Sequence, residues 1–169
     1  MSDDAPLLAG IQQLLQSRRT AALGTLTNRG LPFVSLVPFA IAPELQSIVI
    51  HISELAAHTR YLMQRPDASL LISQNEQDTE SVHDLPRATL QTRASQLIRG
   101  EDDWSLARQA YLARFPDTEF MTSFQDFHFF SLAIVRIRHV AGFGAAHSVD
   151  PEKMRQLLKS HSWQGLDKQ

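Results

Sequence analysis

The chain has 169 residues, of which 43% are hydrophobic, and this length predicts one domain of ordinary size with a single hydrophobic core. A formal net charge of −2 gives no general attraction for nucleic acid, because such binding requires a basic face. The absence of cysteine excludes disulfide bonds, thiolate catalysis and both zinc-thiolate and iron–sulfur sites.

The first ten residues begin with acidic side chains and contain no long apolar segment. They therefore do not resemble a secretory signal, and no apolar stretch approaches the length needed to cross a membrane. We expect a cytoplasmic protein with no membrane partner, folded as one domain over residues 1–169.

The N-terminal part of the chain predicts a helix followed by a β-hairpin. Leucine and isoleucine recur at helical spacing over residues 5–17, which indicates a flanking helix. Thr20–Leu26 is rich in β-compatible residues, and Leu31–Ala40 resumes an apolar strand after a turn in which Gly30 is available for positive φ. Two prolines in the second strand donate no ladder hydrogen bond, so we expect this strand at an edge or with a bulge.

The middle of the chain predicts three more strands, one short helix and one loop. Ile48–Ile52 is an apolar strand, and Ser53–Leu62 leads from it into the helix. After a proline break, Ser69–Ser73 reads as a strand. Residues 74–86 are polar and acidic, which predicts a mobile loop, and Ala88–Ile98 alternates well enough to form a long strand.

The C-terminal part predicts a helix, two strands and a final helix. Asp102 or Asp103 is expected to cap the first helix. Phe129–Ile137 and His139–His147 are expected as two strands joined with little or no loop, followed by a helix at about 150–159.

Together these elements predict an α+β fold that is mainly β. Six or seven strands follow one another in antiparallel succession over about 19–147, and four helices flank them. A six- to seven-stranded antiparallel split β-barrel fits this order best.

The start of the short helix carries groups that suit an anion. Ser53 supplies a hydroxyl, His58 an imidazole and Arg60 a guanidinium, next to the free N–H donors of a helix start. This pattern predicts a phosphate site for an anionic cofactor. The alternative is that Ser53 simply caps the helix, with the other two side chains in solvent.

Several stretches carry a resemblance to a known family. Three of them resemble the FMN-binding split barrel of the pyridoxamine 5′-phosphate oxidase family: Gly30–Val37, Ser53–Ile72 and Arg87–Ala94. Three others resemble the branch of that fold which includes bacterial haem-utilisation proteins: Ala110–Asp117, Asp126–Phe130 and Val140–Ala146. The resemblance covers most of the chain, from about Leu7 to Leu158.

The resemblance implies a homodimer with an FMN site at the subunit interface. The residues implied along the isoalloxazine ring and ribityl chain are Val34, Ser35, Leu36 and Val37. The residues implied to border the flavin are His51, Ile52 and Ser53. The residues implied near the phosphate are His58, Thr59 and Arg60, with Arg87 reaching the ribityl or phosphate region, where a guanidinium offers paired donors.

The chain also departs from the pattern of the oxidases. Ser35 and Ala40 stand where those enzymes have basic residues, and the tryptophan and arginine pattern that grips pyridoxal phosphate is missing. Vitamin B6 oxidation is therefore not expected. The expected function is flavin-dependent oxidoreduction of an unidentified small substrate, with the cofactor supplying the reactivity and no catalytic residue assigned.

Two alternatives remain open. The first is a haem-binding or haem-degrading protein on the same fold, in which the resemblance implies His161 as the iron ligand and Asp126 as its supporting partner. The second is a flavin-binding module without turnover. A dedicated metal site is not expected, because the seven histidines show no short ligand repeat.

Overall fold

The computed structural model describes residues 5–142, 145–160 and 163, and these form a curled antiparallel sheet flanked by helices. The α-helices are α1 (Ala5–Ser17), α2 (Ala57–Gln64), α3 (Asp102–Arg114) and α4 (Pro151–Lys159). The strands are β1 (Thr20–Leu26), β2 (Pro32–Pro38), β3 (Ala40–Ala42), β4 (Ser47–Ser53), β5 (Asp67–Ser73), β6 (Arg87–Gln96), β7 (Phe127–Val140) and β8 (Ala146–Val149). The predicted class, a mainly antiparallel split barrel with flanking helices, is confirmed.

The sheet curls because its two edge strands, β2 and β3, follow each other directly in the chain. The strand order is β2-β1-β5-β6-β7-β4-β3, with β8 beside β7. Phe39 alone separates β2 from β3 in sequence, so the chain must bend the two ends of the sheet towards each other, and β2 contacts β4. The prediction of one strand over Leu31–Ala40 was therefore wrong: it ends at Pro38, and the residues after Phe39 pair with the opposite edge.

Strand β7 replaces the two strands predicted at Phe129–Ile137 and His139–His147. It runs without interruption to Val140 because its residues stay paired with β6 up to the pair Arg87–Val140. The return to β8 follows Ala141, whose N–H donates to the carbonyl of Ala145 at 3.1 Å. A β-bulge opposite Gln91 and Thr92 increases the local twist of this long strand.

Strand β4 separates two hydrophobic cores. Its residues from Ser47 to Ile52 are all buried, which requires cover on both faces. Ile50 and Ile52 point into the barrel interior, and Val49 points to a second core beneath α3. Members of this second core are Ala40, Ala42, Val49, Ala107, Tyr111, Phe115 and Phe129.

Helix α1 closes one side of the barrel with Ile11, Leu14 and Leu15, which are buried in the first core. Arg114, the last residue of α3, binds the C-terminal end of α1. The Arg114 guanidinium donates to the carbonyls of Leu15 at 3.0 Å and Gln16 at 3.2 Å, and also to that of Arg18. These bonds satisfy carbonyl groups that a helix end otherwise leaves unpaired.

None of the described helices combines the length and the apolar character that a membrane-spanning helix requires. Within the same described residues, no three histidine or acidic side chains converge in a way that could hold a metal ion.

Candidate functional site

Several polar side chains meet where β4 ends and β7 begins. Ser53 pairs with Phe127 across these strands, which brings Asp126 beside the end of β4. The Ser53 hydroxyl donates to Asp126 Oδ2 at 3.0 Å and accepts from the Leu55 N–H at 3.1 Å. The Glu54 N–H donates to the Asp126 carbonyl at 2.7 Å, so Asp126 is held by both its side chain and its backbone.

A second carboxylate in this corner pairs with an imidazole. His128 Nε2 lies 2.5 Å from Glu54 Oε1, with the Glu54 side chain half-exposed and that of His128 mostly buried. We call the set Ser53, Glu54, His58, Asp126 and His128 the β4–α2 junction. Its carboxylates are hydrogen-bond acceptors, and its imidazoles offer ring nitrogens that donate or accept.

Most of the groups that were predicted to bind phosphate form hydrogen bonds within the protein, at or near the start of helix α2. It begins at Ala57, so Ser53 ends a strand and does not cap the helix. The Thr59 hydroxyl is buried and donates to the Ser53 carbonyl at 2.6 Å. The Arg60 guanidinium is exposed and donates to two backbone carbonyls of its own loop, those of Glu54 at 3.4 Å and Leu55 at 3.3 Å.

His58 is the available imidazole of the β4–α2 junction. It lies in the first turn of α2 and is half-buried, and this burial lowers its pKa. The ring therefore stays neutral near pH 7, the form that can bind a metal. Among the residues that the structure describes, His58 makes no side-chain hydrogen bond or ion pair.

The pleat of β2 divides its four predicted site residues between two faces. Val34 and Leu36 point outwards and are 66% and 70% exposed. Ser35 and Val37 point inwards; Val37 is buried, and the Ser35 hydroxyl has no hydrogen-bond partner within the described chain. A planar ligand on either side of the strand contacts only one of these pairs.

The outward residues of β2 belong to a shallow apolar surface. In the strand register, Ala22 lies between Leu36 and Leu71, and Gly24 lies between Val34 and Ser69. The small residues of β1 therefore form a floor between larger side chains on each side. We call Ala22, Gly24, Val34, Leu36 and Leu71 the outer β-face.

His51 and Ile52 lie on opposite faces of β4, and both are buried. The His51 ring stacks on Phe129 with centroids 4.2 Å apart and also contacts Tyr111 beneath α3. Burial, with smaller effects from Arg99 and His128, lowers the His51 pKa to about 4. His51 Nε2 has no hydrogen-bond partner in the described structure, and the ring is packed against those of Tyr111, Phe127 and Phe129.

Arg87 lies away from Arg60, the other arginine predicted to bind phosphate. It begins β6 beside Ser73, at the end of β5 opposite the connection from α2. Its guanidinium donates to the Leu85 carbonyl at 2.8 Å. The proposed iron ligand of the haem alternative, His161, lies outside the described residues.

Sequence reasoning missed the Glu54–His128 contact and the floor of the outer β-face. Both depend on which strands are neighbours: His128 pairs with Ile52 across β4 and β7, and Gly24 lies between β2 and β5. The alternation of each strand was visible, but the pairing of β4 with β7 joins residues more than 70 positions apart.

Comparisons with known proteins give a consistent picture. The family model described as CREG, beta-barrel matches residues 9–156. Heme oxygenase HutZ of Vibrio cholerae is 28% identical over 145 residues, which are 85% of this chain and 81% of that protein. The chloroplastic heme oxygenase HOZ of Arabidopsis thaliana is 32% identical over 138 residues, 80% of this chain but 40% of that protein.

A solved structure of a heme binding protein from Mycobacterium smegmatis superimposes with a TM-score of 0.77 at 25% identity. The match covers 87% of this chain and 60% of that one. The chain thus spans less than two thirds of the mycobacterial and plant proteins. The resemblance to the haem-utilisation branch is confirmed.

The prediction of flavin-dependent oxidoreduction is wrong, because these relatives are named for haem. The error has a physical origin in the residues on which it was based. The strand and helix-start pattern specifies the split barrel, which both branches share, and the two guanidiniums taken as phosphate ligands, Arg60 and Arg87, donate to nearby backbone carbonyls.

Proposed function

The chain belongs to the CREG β-barrel family, and on that premise we propose that it binds haem and degrades it oxidatively. The observation that carries the proposal is the agreement of two relatives. The bacterial and the plant protein are both named heme oxygenases, and each matches at least 80% of this chain. We further propose the cytoplasm as its location.

The described residues fit the chemical needs of haem. Haem requires an apolar surface for its macrocycle and at least one axial ligand, for which a neutral imidazole suffices. The outer β-face offers exposed Val34 and Leu36, and the β4–α2 junction offers His58, whose side chain has no hydrogen-bond partner among the described residues. As the substrate, haem would bring the redox-active iron needed for its own oxidation.

We assign the iron ligand to His161 on the family resemblance and the supporting polar groups to the β4–α2 junction. Asp126 is suited to orient a hydrogen-bond donor, because its position is fixed by Ser53 and by the Glu54 N–H. His128 and Glu54 lie beside it and are hydrogen bonded to each other.

We also propose that the protein is a homodimer and that the outer β-face takes part in its interface, with the haem sites between subunits. A second subunit that packs on an edge strand removes its exposed apolar side chains from water, which is favourable. Val34→Lys places a charge on this face and should convert dimers to monomers in analytical ultracentrifugation. Val82→Lys is the matched control, since Val82 is 59% exposed on the 74–86 loop and is not part of the outer β-face; equal dimerisation of both variants would exclude this face from the interface.

Turnover tests the proposed activity directly. We expect the haem-loaded protein, supplied with a reductant and air, to lose its Soret absorption and release iron. Asp126→Asn retains the shape of the side chain and removes its charge, so it should bind haem and slow degradation by about tenfold or more. A haem complex that survives many hours with reductant and oxygen would contradict degradation and leave haem binding only.

Ser123→Ala serves as a control for Asp126→Asn. Ser123 is exposed near the same segment, and among the described residues its hydroxyl donates only to the Phe120 carbonyl. Its replacement should leave the rate of haem loss unchanged. Equal slowing in both variants would show that the effect arises from local disruption of the segment and not from the Asp126 carboxylate.

A further inference from the structure

A cavity of about 410 Å³ lies between α1, the 74–86 loop and the end of β7, separate from the β4–α2 junction. Its volume falls within the range of sites that hold small organic molecules. Leu14 and Pro86 contribute apolar surface, and Gln13 and Asn75 contribute carboxamides. The lining therefore combines a hydrophobic wall with a few polar groups.

His139 lines this cavity as a buried imidazole. The residue is 2% exposed, and neither ring nitrogen has a hydrogen-bond partner among the described residues. Burial, and to a smaller degree His147, lowers its pKa. The neutral ring therefore has one donor and one acceptor that nothing in the described chain satisfies.

Gly10 in α1 makes room for this imidazole. A Cβ built on Gly10 would lie 3.0 Å from His139 Cε1, closer than side chains normally approach. Glycine in the middle of a helix is unfavourable relative to alanine. Helix α1 thus contains a residue that disfavours helices at the position where the His139 ring packs against it.

Arg18 supplies an available positive charge at the same cavity. It is half-buried at the end of α1, and its guanidinium makes no hydrogen bond or ion pair with the described residues. Asp78, the acidic member of the lining, is on the exposed loop. A planar guanidinium matches a carboxylate with two parallel hydrogen bonds.

We propose that this cavity binds a small organic carboxylate, with Arg18 holding the carboxylate and His139 hydrogen bonding to the ligand beside an apolar wall. The site is distinct from the one proposed for haem and does not depend on it. A compact aromatic acid presents a carboxylate to Arg18 and an apolar ring to Leu14 and Pro86.

The probe is 2-naphthoate, titrated by calorimetry, with 2-naphthamide as its uncharged twin. We expect saturable binding of the acid at one site and binding of the amide weaker by about tenfold, because the charge-assisted bonds are lost. Arg18→Gln should reduce the affinity for the acid by a similar factor. Arg29→Gln makes the same change of charge on an exposed turn and should leave affinity within about twofold.

Two further readouts test the position of the ligand. The acid should shift the imidazole nitrogen resonances of His139 in NMR spectra. Gly10→Ala should fold normally, since alanine favours helices, yet weaken binding because its Cβ pushes the ring into the cavity.

The proposal would be overturned by no saturable binding up to about 10 mM, by equal affinities of the acid and the amide, or by equal affinities of the Arg18 and Arg29 variants. Displacement of bound haem by 2-naphthoate would also overturn it, because the ligand would then occupy the haem site.

Discussion

His51 and His139 are both buried imidazoles with an unsatisfied nitrogen, but they lie in opposite kinds of surroundings. His51 is enclosed by the rings of Phe129 and Tyr111 beneath α3. His139 borders a cavity and contacts a glycine. Burial and a lowered pKa therefore do not distinguish a packed histidine from one at a binding site, whereas the space beside the ring does.

The largest effect is expected where the packing is closed. Phe129→Ala removes the ring that stacks on His51 and contacts Trp104, and should reduce the free energy of unfolding by about 3–5 kcal/mol. Urea denaturation measures this loss. A loss below about 1 kcal/mol would show that the second core is loosely packed, and the contrast with the His139 cavity would fail.

His51 should also make stability depend on pH. Its pKa is about 4 in the folded protein and 6.5 in the unfolded chain, so the unfolded chain binds more protons between these values. Stability is thus fully present above pH 6.5 and falls by about 3 kcal/mol as the pH is lowered to 4. His58 and His139 act in the same direction.

The matched variant for this titration is His51→Phe, which keeps an aromatic ring in the second core. It should flatten the fall in unfolding free energy below pH 6.5, measured by denaturation at several pH values. A fall as steep as that of the original protein would assign the pH dependence to other groups.

A smaller effect is expected where Arg114 binds the end of α1, the helix that lines the His139 cavity. Arg114→Ala removes hydrogen bonds to two carbonyls of α1 and to that of Arg18, which follows the helix, and it removes the guanidinium that lies 5.0 Å from the centre of the Phe39 ring. We expect a loss of about 1.5–3 kcal/mol. Faster amide hydrogen exchange confined to α1 would localise this loss, and exchange that rises equally in the second core would contradict it.

The parts of the fold that local chemistry determines could be read from the sequence. Gly30 has a φ of +78° in the turn of the β1–β2 hairpin, as its lack of Cβ allows. The final helix begins as its residues indicate, with Asp150 accepting from the Glu152 N–H at 2.9 Å and a proline following it.

Features that depend on distant pairing could not be read in this way. The division of β2 from β3 at Phe39 follows from closure of the sheet, and both segments look like one apolar strand in the sequence. The corner that joins Ser53 to Asp126 depends on the pairing of β4 with β7. The guanidinium of Arg60 suits a phosphate by type, but only coordinates reveal that it donates to its own loop.

Haem binding is decided by the visible absorption spectrum of the protein titrated with haem. We expect a saturable Soret band at one haem per chain, which His161→Ala removes and His83→Ala, on the exposed loop, retains. Absence of a saturable Soret band, or flavin absorption in the protein as purified, would contradict haem binding.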